Sequence, residues 1–301
     1  NWKIKYMISK INFNFTNYFK PMVLVSLVIF LVSLTSLLII GVKSSIDFTG
    51  GTVINVQVDT DVNLSNLRQV LEQDLKQPVS VVEVNSNNET YILLKMGYLS
   101  NEQVINDVLS KVYDNQYSIN QIESIGPKIG DELKVNARNA IIASLLLIAL
   151  YISIRFDGYY ALGSLFALLH DVLITLGVFV FMNMEISISI IAALLTIVGY
   201  SLNDTIVIYD RIRENMLLNP YRNKKKVFNT SLNQTLNRTL VTSITTLIVV
   251  IVLYIYGGDV LRPFSFALII GIILGTYSSI FIASPITLYL EEKYNIETEE
   301  N

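Results

Sequence analysis

Six long apolar runs constrain this chain more than any single motif does. They lie at Met22–Val42, Ala137–Ile154, Tyr159–Met182, Ile186–Tyr209, Thr239–Tyr256 and Phe264–Leu290. About 20 apolar residues in a helix cross a hydrocarbon layer of ~30 Å, and a helix satisfies its own backbone amides while it does so. Only 16% of the residues are charged and 52% are hydrophobic, where a soluble domain carries about 25% charged residues. The fold class that follows is a polytopic α-helical membrane protein with six transmembrane helices. The first run leads into a patterned segment rather than a small-residue cleavage site, so it reads as a retained span and not as a signal peptide.

Six crossings put both ends on one side. Lys3, Lys5, Lys10, Lys20, Arg155, Arg211, Arg213, Arg222, Lys224, Lys225, Lys226 and Arg238 fall on that side, and the short opposite loops offer Arg262. Basic residues gather on the cytoplasmic face, which makes 1–21 a cytoplasmic N-terminus and 291–301 an acidic cytoplasmic tail, read as disordered. The stretch 43–136 then folds outside. In it, Thr52–Val58 alternates with Ile54, Val56 and Val58 on one face, and Leu64, Leu67, Leu71 and Leu75 follow at helical spacing. Val79–Val84 and Tyr91–Met96 read as strands, Val104, Val108 and Val112 as the face of a second helix, and Tyr117–Ile125 as a last strand. The order β-α-β-β-α-β predicts an inserted α+β ferredoxin-like extracytoplasmic domain, an architecture that names no activity.

The segment 210–237 reads as a basic cytoplasmic loop. Phe228, Leu232, Leu236 and Leu240 recur in it every four residues, beside Lys224–Lys226. That suits an amphipathic helix lying at the membrane surface, or a solvated connector whose lysines only fix the topology. Both readings stand, as do lipid and partner as its neighbour.

Composition excludes several classes. A net charge of -3 with basic residues beside the spans argues against nucleic acid. Cysteine is absent and His170 is the single histidine, so thiolate and multi-histidine metal sites have no ligands. No cofactor is expected, and no enzyme.

Ionisable groups at membrane depth cost at least ~2.5–3.5 kcal/mol and mark function by default. Asp171 lies in the third span, Asp204 in the fourth and Arg238 at the start of the fifth. Helical spacing places Asp171 with Ser164, Ala167 and Thr175, Asp204 with Ala193, Ile197, Tyr200 and Ser201, and Arg238 with Gln234, Thr242 and Thr245. These small or polar stripes are expected to converge on a hydrated internal path, with Asp204 paired to Arg238. Movement of the guanidinium would then let Asp204 take or lose a proton; a static ion pair gluing helices is the alternative. His170 and Asp171 are weaker relay candidates, the imidazole pointing about 100° away from its neighbour. Ala267, Gly271, Gly275, Ser279 and Ala283 recur every four residues as a helix-packing stripe, and Gly257, Gly258 and Pro263 mark a turn between the last two spans.

Several blocks carry a resemblance. They are Ile46-Asp47-Phe48-Thr49-Gly50-Gly51-Thr52, Gly126-Pro127-Lys128-Ile129-Gly130, Ala167-Leu168-Leu169-His170-Asp171-Val172, Gly199-Tyr200-Ser201-Leu202-Asn203-Asp204-Thr205 with Asp210-Arg211-Ile212-Arg213-Glu214-Asn215, and Asn237-Arg238-Thr239. In that order and spacing the chain resembles the SecD/SecF family of protein-export membrane subunits, within the resistance-nodulation-division superfamily. Ser45 stands where relatives usually have glycine. The resemblance implies a subunit of the bacterial inner membrane that pairs with SecD, joins the SecYEG channel and uses the proton gradient to help move exported, unfolded polypeptide. It also implies that Asp204 and Arg238 are the charged pair tied to proton transport. A scaffold of the translocase with inert charges, and a small-molecule exporter of the same superfamily, are the other readings.

Overall fold

The computed structural model describes residues 12–58, 63–86, 89–99, 105–107, 109–110, 117–218 and 223–299. In chain order the elements are α1 (Phe15–Ile39), α2 (Ile46–Thr49), β1 (Gly51–Val58), α3 (Leu64–Leu75), β2 (Val79–Ser86), β3 (Glu89–Met96), β4 (Tyr117–Ile125), α4 (Pro127–Arg155), α5 (Gly158–Phe181), α6 (Ile188–Leu218), α7 (Lys224–Tyr256), α8 (Gly258–Ser278), a π-helical turn (Ser279–Ala283) and α9 (Ser284–Glu299). They form two units, one of Asn1–Lys43 with Ala140–Asn301 and the other of Ser44–Asn139.

In the Ser44–Asn139 unit, four strands pair in the order β2-β3-β1-β4, each neighbouring pair antiparallel. Alternation along β1 sends Ile54, Val56 and Val58 into the core, where Ile92 and Leu94 of β3 and Leu67 and Leu71 of α3 meet them. Asn63 opens α3, its side-chain oxygen accepting the Asn66 amide at 3.1 Å, a cap worth about 1 kcal/mol. Ile105 and Leu109 complete the same core. The expected inward residues Val104, Val108 and Val112 lie outside the described residues.

The two glycine blocks become one contact. Ser45 caps the single turn α2, accepting the Asp47 amide on Oγ at 3.3 Å. Gly50 then takes φ +70°, a region that costs other residues about 1–2 kcal/mol. A Cβ on Gly50 would stand 2.8 Å from Pro127 Cα, and one on Gly130 3.0 Å from the Gly50 nitrogen. Backbone lies directly on backbone here, which no larger side chain allows. Gly126 precedes the helix that Pro127 opens, a position where proline's missing amide costs nothing.

In the other unit, the described residues include six helices long and apolar enough to cross a membrane. α5, α6 and α8 each bury about half of their apolar stretch, whereas α1, α4 and α7 bury little. The first three form the core and the others flank it. The helices overrun the apolar runs. α1 starts at Phe15, so Lys20 and Pro21 are helical, while Lys3, Lys5 and Lys10 lie outside the described residues. α4 starts at Pro127 rather than Ala137, because helix formation continues through polar residues that need no lipid.

Three expectations are corrected. The 210–237 segment is not a loop: α6 runs to Leu218 and α7 begins at Lys224, with Arg222 outside the described residues. Val227, Phe228, Ser231 and Leu232 are buried, with Phe228 and Leu232 in the same core as Ile212 of α6, so this part of α7 packs on protein instead of lying on a membrane surface. Asn215 fastens it, donating to Ser231 Oγ and Gln234 Oε1, both at 2.8 Å. The acidic segment from Glu291 is helical as far as Glu299; Glu291 itself is buried, with Lys224 Nζ 3.6 Å from its Oε1. Pro263 lies inside α8, and the turn before it is made by Gly257 and Gly258, the latter at φ +70°.

Candidate functional site

The core helices approach closely because their contact faces are small. A Cβ on Gly271 would run into the Ile197 side chain of α6, and one on Gly275 would stand 2.9 Å from Ser201 Cβ. Ala267, Ser279 and Ala283 of the same stripe are also buried. Close backbones of this kind associate helices through packing where lipid gives no hydrophobic drive. They also bring short hydroxyl side chains to the carboxylates of neighbouring helices.

Asp171 is the centre of one such arrangement. Its Oδ2 accepts Ser201 Oγ of α6 and Ser278 Oγ of α8, each at 2.7 Å, and its Oδ1 lies 2.9 Å from His170 Nδ1. The ring and the carboxyl reach round the helix to meet, which corrects the expectation that they diverge. His170 Nε2 is hydrogen-bonded to Ser26 Oγ of α1. All five residues are buried. Just beyond Ser278 the helix widens into the π turn, where Ser284 Oγ donates to the Ser279 carbonyl at 2.8 Å; such turns recur at functional positions.

Asp204 has sparser company. It is 3% exposed, and Ser243 Oγ of α7 donates to its Oδ2 at 3.5 Å, the limit of a hydrogen bond. Ser243 is in turn 2.6 Å from Thr276 Oγ1 of α8. Among the described residues no ion pair joins Asp204 to Arg238, so the expected direct pairing is corrected. Arg238 is exposed.

The reason lies in how α7 is turned. Its buried face is Ser231, Thr235, Thr239 and Ser243, not the Gln234, Arg238, Thr242 and Thr245 stripe. Small hydroxyl side chains fit this face, and two of them bond to carbonyls one turn back, Ser231 to Val227 at 2.9 Å and Thr235 to Ser231 at 3.0 Å. A guanidinium there would have to be buried. Of the other motif residues, Asn203 is exposed, Asp210 accepts Arg155 Nη2 at 2.8 Å, and Arg211 Nη1 donates to Glu214 Oε2 at 2.7 Å. Asp47 sits in the first turn of α2. Sequence reasoning missed Ser26, Ser243, Thr276 and Ser278; the signal available was a hydroxyl inside an apolar run, in step with the residues on the buried face.

Comparisons with known proteins agree on one group. The family model described as protein export membrane protein SecD/SecF, C-terminal, matches residues 104–293, and the SecD/SecF GG motif matches residues 35–62. Protein translocase subunit SecF of Rhodothermus marinus is 40% identical over 290 residues, covering 94% of this chain and 94% of that protein. The subunit of the same name from Calditerrivibrio nitroreducens is 37% identical over 282 residues, covering 91% of this chain and 92% of its own length. Among solved structures, SecDF of Thermus thermophilus, described as a translocon-associated membrane protein, superposes with a TM-score of 0.84 at 37% identity. The match spans 94% of this chain and 39% of that longer one. SecDF in a super-membrane-facing form gives a TM-score of 0.72 at 35% identity, spanning 97% of this chain and 40% of the other.

Proposed function

The chain belongs to the SecD/SecF family of protein-export membrane proteins, and we propose that it serves there as an accessory subunit of the Sec translocase, driven by protons. It is a multi-pass protein of the bacterial inner membrane. In this reading a SecD-type partner supplies the matching helical half. Both ends face the cytoplasm, and the Ser44–Asn139 unit is a ferredoxin-like domain on the outer side that meets the emerging polypeptide beside the SecYEG channel. The strand order β2-β3-β1-β4 supports that assignment of the domain. No cofactor is called for, because each proton crossing 100 mV releases ~2.3 kcal/mol.

The single observation that carries the reading is Asp204. It is a carboxyl 3% exposed in the helix core, held by one long hydrogen bond and by no ion pair among the described residues. A group so placed can gain and lose a proton without first breaking a strong contact. Arg238 is the element that would change its state, approaching Asp204 in one conformation and withdrawn in this one. At membrane depth its exposed stripe on α7 does not suit acyl chains, which favours a helical partner covering it.

Inverted membrane vesicles carrying Asp204→Asn test this. Export stimulated by the gradient is expected to fall at least tenfold, with the protein still assembled. Full stimulation in that variant would overturn the proton-driven role. A scaffold of the translocase with inert charges would instead leave both Asp204→Asn and Arg238→Gln fully active.

A further inference from the structure

The bonds between α6 and α7 hold the two helices in one register. Asn215 donates to Ser231 at 2.8 Å, Asp204 accepts Ser243 at 3.5 Å and Tyr200 donates to Thr246 at 3.4 Å. Numbers fall along one helix as they rise along the other, so the pair is antiparallel. Four residues from Ser243 toward Lys224, on the same buried face of α7, stands Thr239. In this register it is level with Val207 and Ile208 of α6, whose side chains carry no polar atom.

Thr239 is 1% exposed. Among the described residues, it is the one within the six apolar runs whose buried side-chain polar atom has no hydrogen-bond partner. Its neighbours on the face are all engaged: Ser231 with the Val227 carbonyl, Thr235 with the Ser231 carbonyl, Ser243 with Asp204 and Thr276. A buried hydroxyl without a partner gives up its hydration for nothing, and buried polar groups of this kind are met by ordered water. One turn away, Asp204 is short of partners as well, since the one bond that reaches its two oxygens among the described residues is the long one from Ser243. Ser243 and Thr239, four residues apart, are separated by about 6 Å along the helix. Two hydrogen bonds of about 2.8 Å through a single water span that distance.

We infer that Thr239 holds a water molecule one turn from Asp204, on the side of the Lys224 end of α7, and that Asp204 exchanges protons with that side of the membrane through this water. Thr239 is then a positioning residue, acting through the water and taking no proton itself. A proton leaving the carboxyl passes to the water oxygen, and the water gives another to solvent at the Lys224 end. Water and hydroxyl end as they began, and uptake runs the same steps in reverse. That the water serves proton exchange rests on the proton-driven reading above; that Thr239 holds it does not.

Water-edited solid-state NMR of the full chain in lipid bilayers, with ¹³C label at threonine, reads the contact of each threonine with water. Thr239→Ser removes one threonine while keeping the hydroxyl, and so assigns the Thr239 signal. Thr235, buried on the same face but bonded to a carbonyl, is the internal standard. Magnetisation from water is expected to reach Thr239 several-fold faster than Thr235; equal rates overturn the water. In inverted vesicles, Thr239→Val, which keeps the shape and loses the hydroxyl, should lower gradient-dependent export about fivefold, the factor one hydrogen bond supplies. Export without the gradient should not change, and Thr239→Ser and Thr235→Val should export as the native protein does. Undiminished gradient-dependent export in Thr239→Val, or an equal loss in Thr235→Val, overturns the role of the water. Normal export by Asp204→Asn removes the proton-driven reading instead, and the NMR rates alone then uphold or overturn the water at Thr239.

Discussion

Asp171 and Asp204 are both buried carboxyls of the same helix core, yet one is surrounded by donors and the other is nearly bare. Asp171 touches hydroxyls from α6 and α8 and the ring beside it. Asp204 has one hydroxyl at 3.5 Å. The richly bonded group ties helices together and is expensive to disturb. The sparsely bonded one costs little to change, which suits a part whose state must alternate. The difference teaches that burial alone does not separate anchor from switch; the number and quality of partners does.

The comparison can be broken by experiment. Asp171→Ala leaves two hydroxyls and an imidazole without their acceptor, and loss of one partner from a buried pair costs about 3–5 kcal/mol. Unfolding in mild detergent should register most of that loss. Gly275→Val acts on the packing that brings the hydroxyls in, since its Cβ would stand 2.9 Å from Ser201 Cβ. Overpacking of this kind costs about 1–3 kcal/mol. Gly199, with nothing within 4 Å of a Cβ, should accept alanine without loss. Ser243→Ala removes the 3.5 Å bond to Asp204 and the 2.6 Å contact with Thr276 Oγ1 and should lower stability by about 1 kcal/mol, well below the loss in Asp171→Ala, while altering gradient-dependent export. A stability loss as large as that of Asp171→Ala would show Asp204 to be an anchor as well.

The spans were legible because hydropathy is summed over a whole helix, and the strands because Ile54, Val56 and Val58 alternate. Leu67 and Leu71 declared the buried face of α3 by spacing alone. The rotation of α7 was not legible. Periodicity shows which residues share a face, and on α7 two faces are polar; the choice between them was made by Ser231, Thr235, Thr239 and Ser243 being small enough to pack. For the same reason the Asp204–Arg238 pairing was inferred from depth, which does not fix direction. The Asp171 centre was hidden differently, since serines from α1, α6 and α8 meet only in three dimensions.

The π turn at Ser279–Ala283 has a consequence for everything downstream of it. Upstream, the inward positions of α8 include Gly271, Gly275 and Ser278; past the turn they fall at Ser284, Thr287 and Glu291. One surplus residue has advanced the phase of the helix by about 100°. Deleting a single residue there, at Phe281 for instance, would swing Thr287 away from Tyr209 and Glu291 away from Lys224 while leaving every amino acid of α9 unchanged. The tail end of the chain is thus set like a dial by five residues, and its partners depend on a count rather than on a composition.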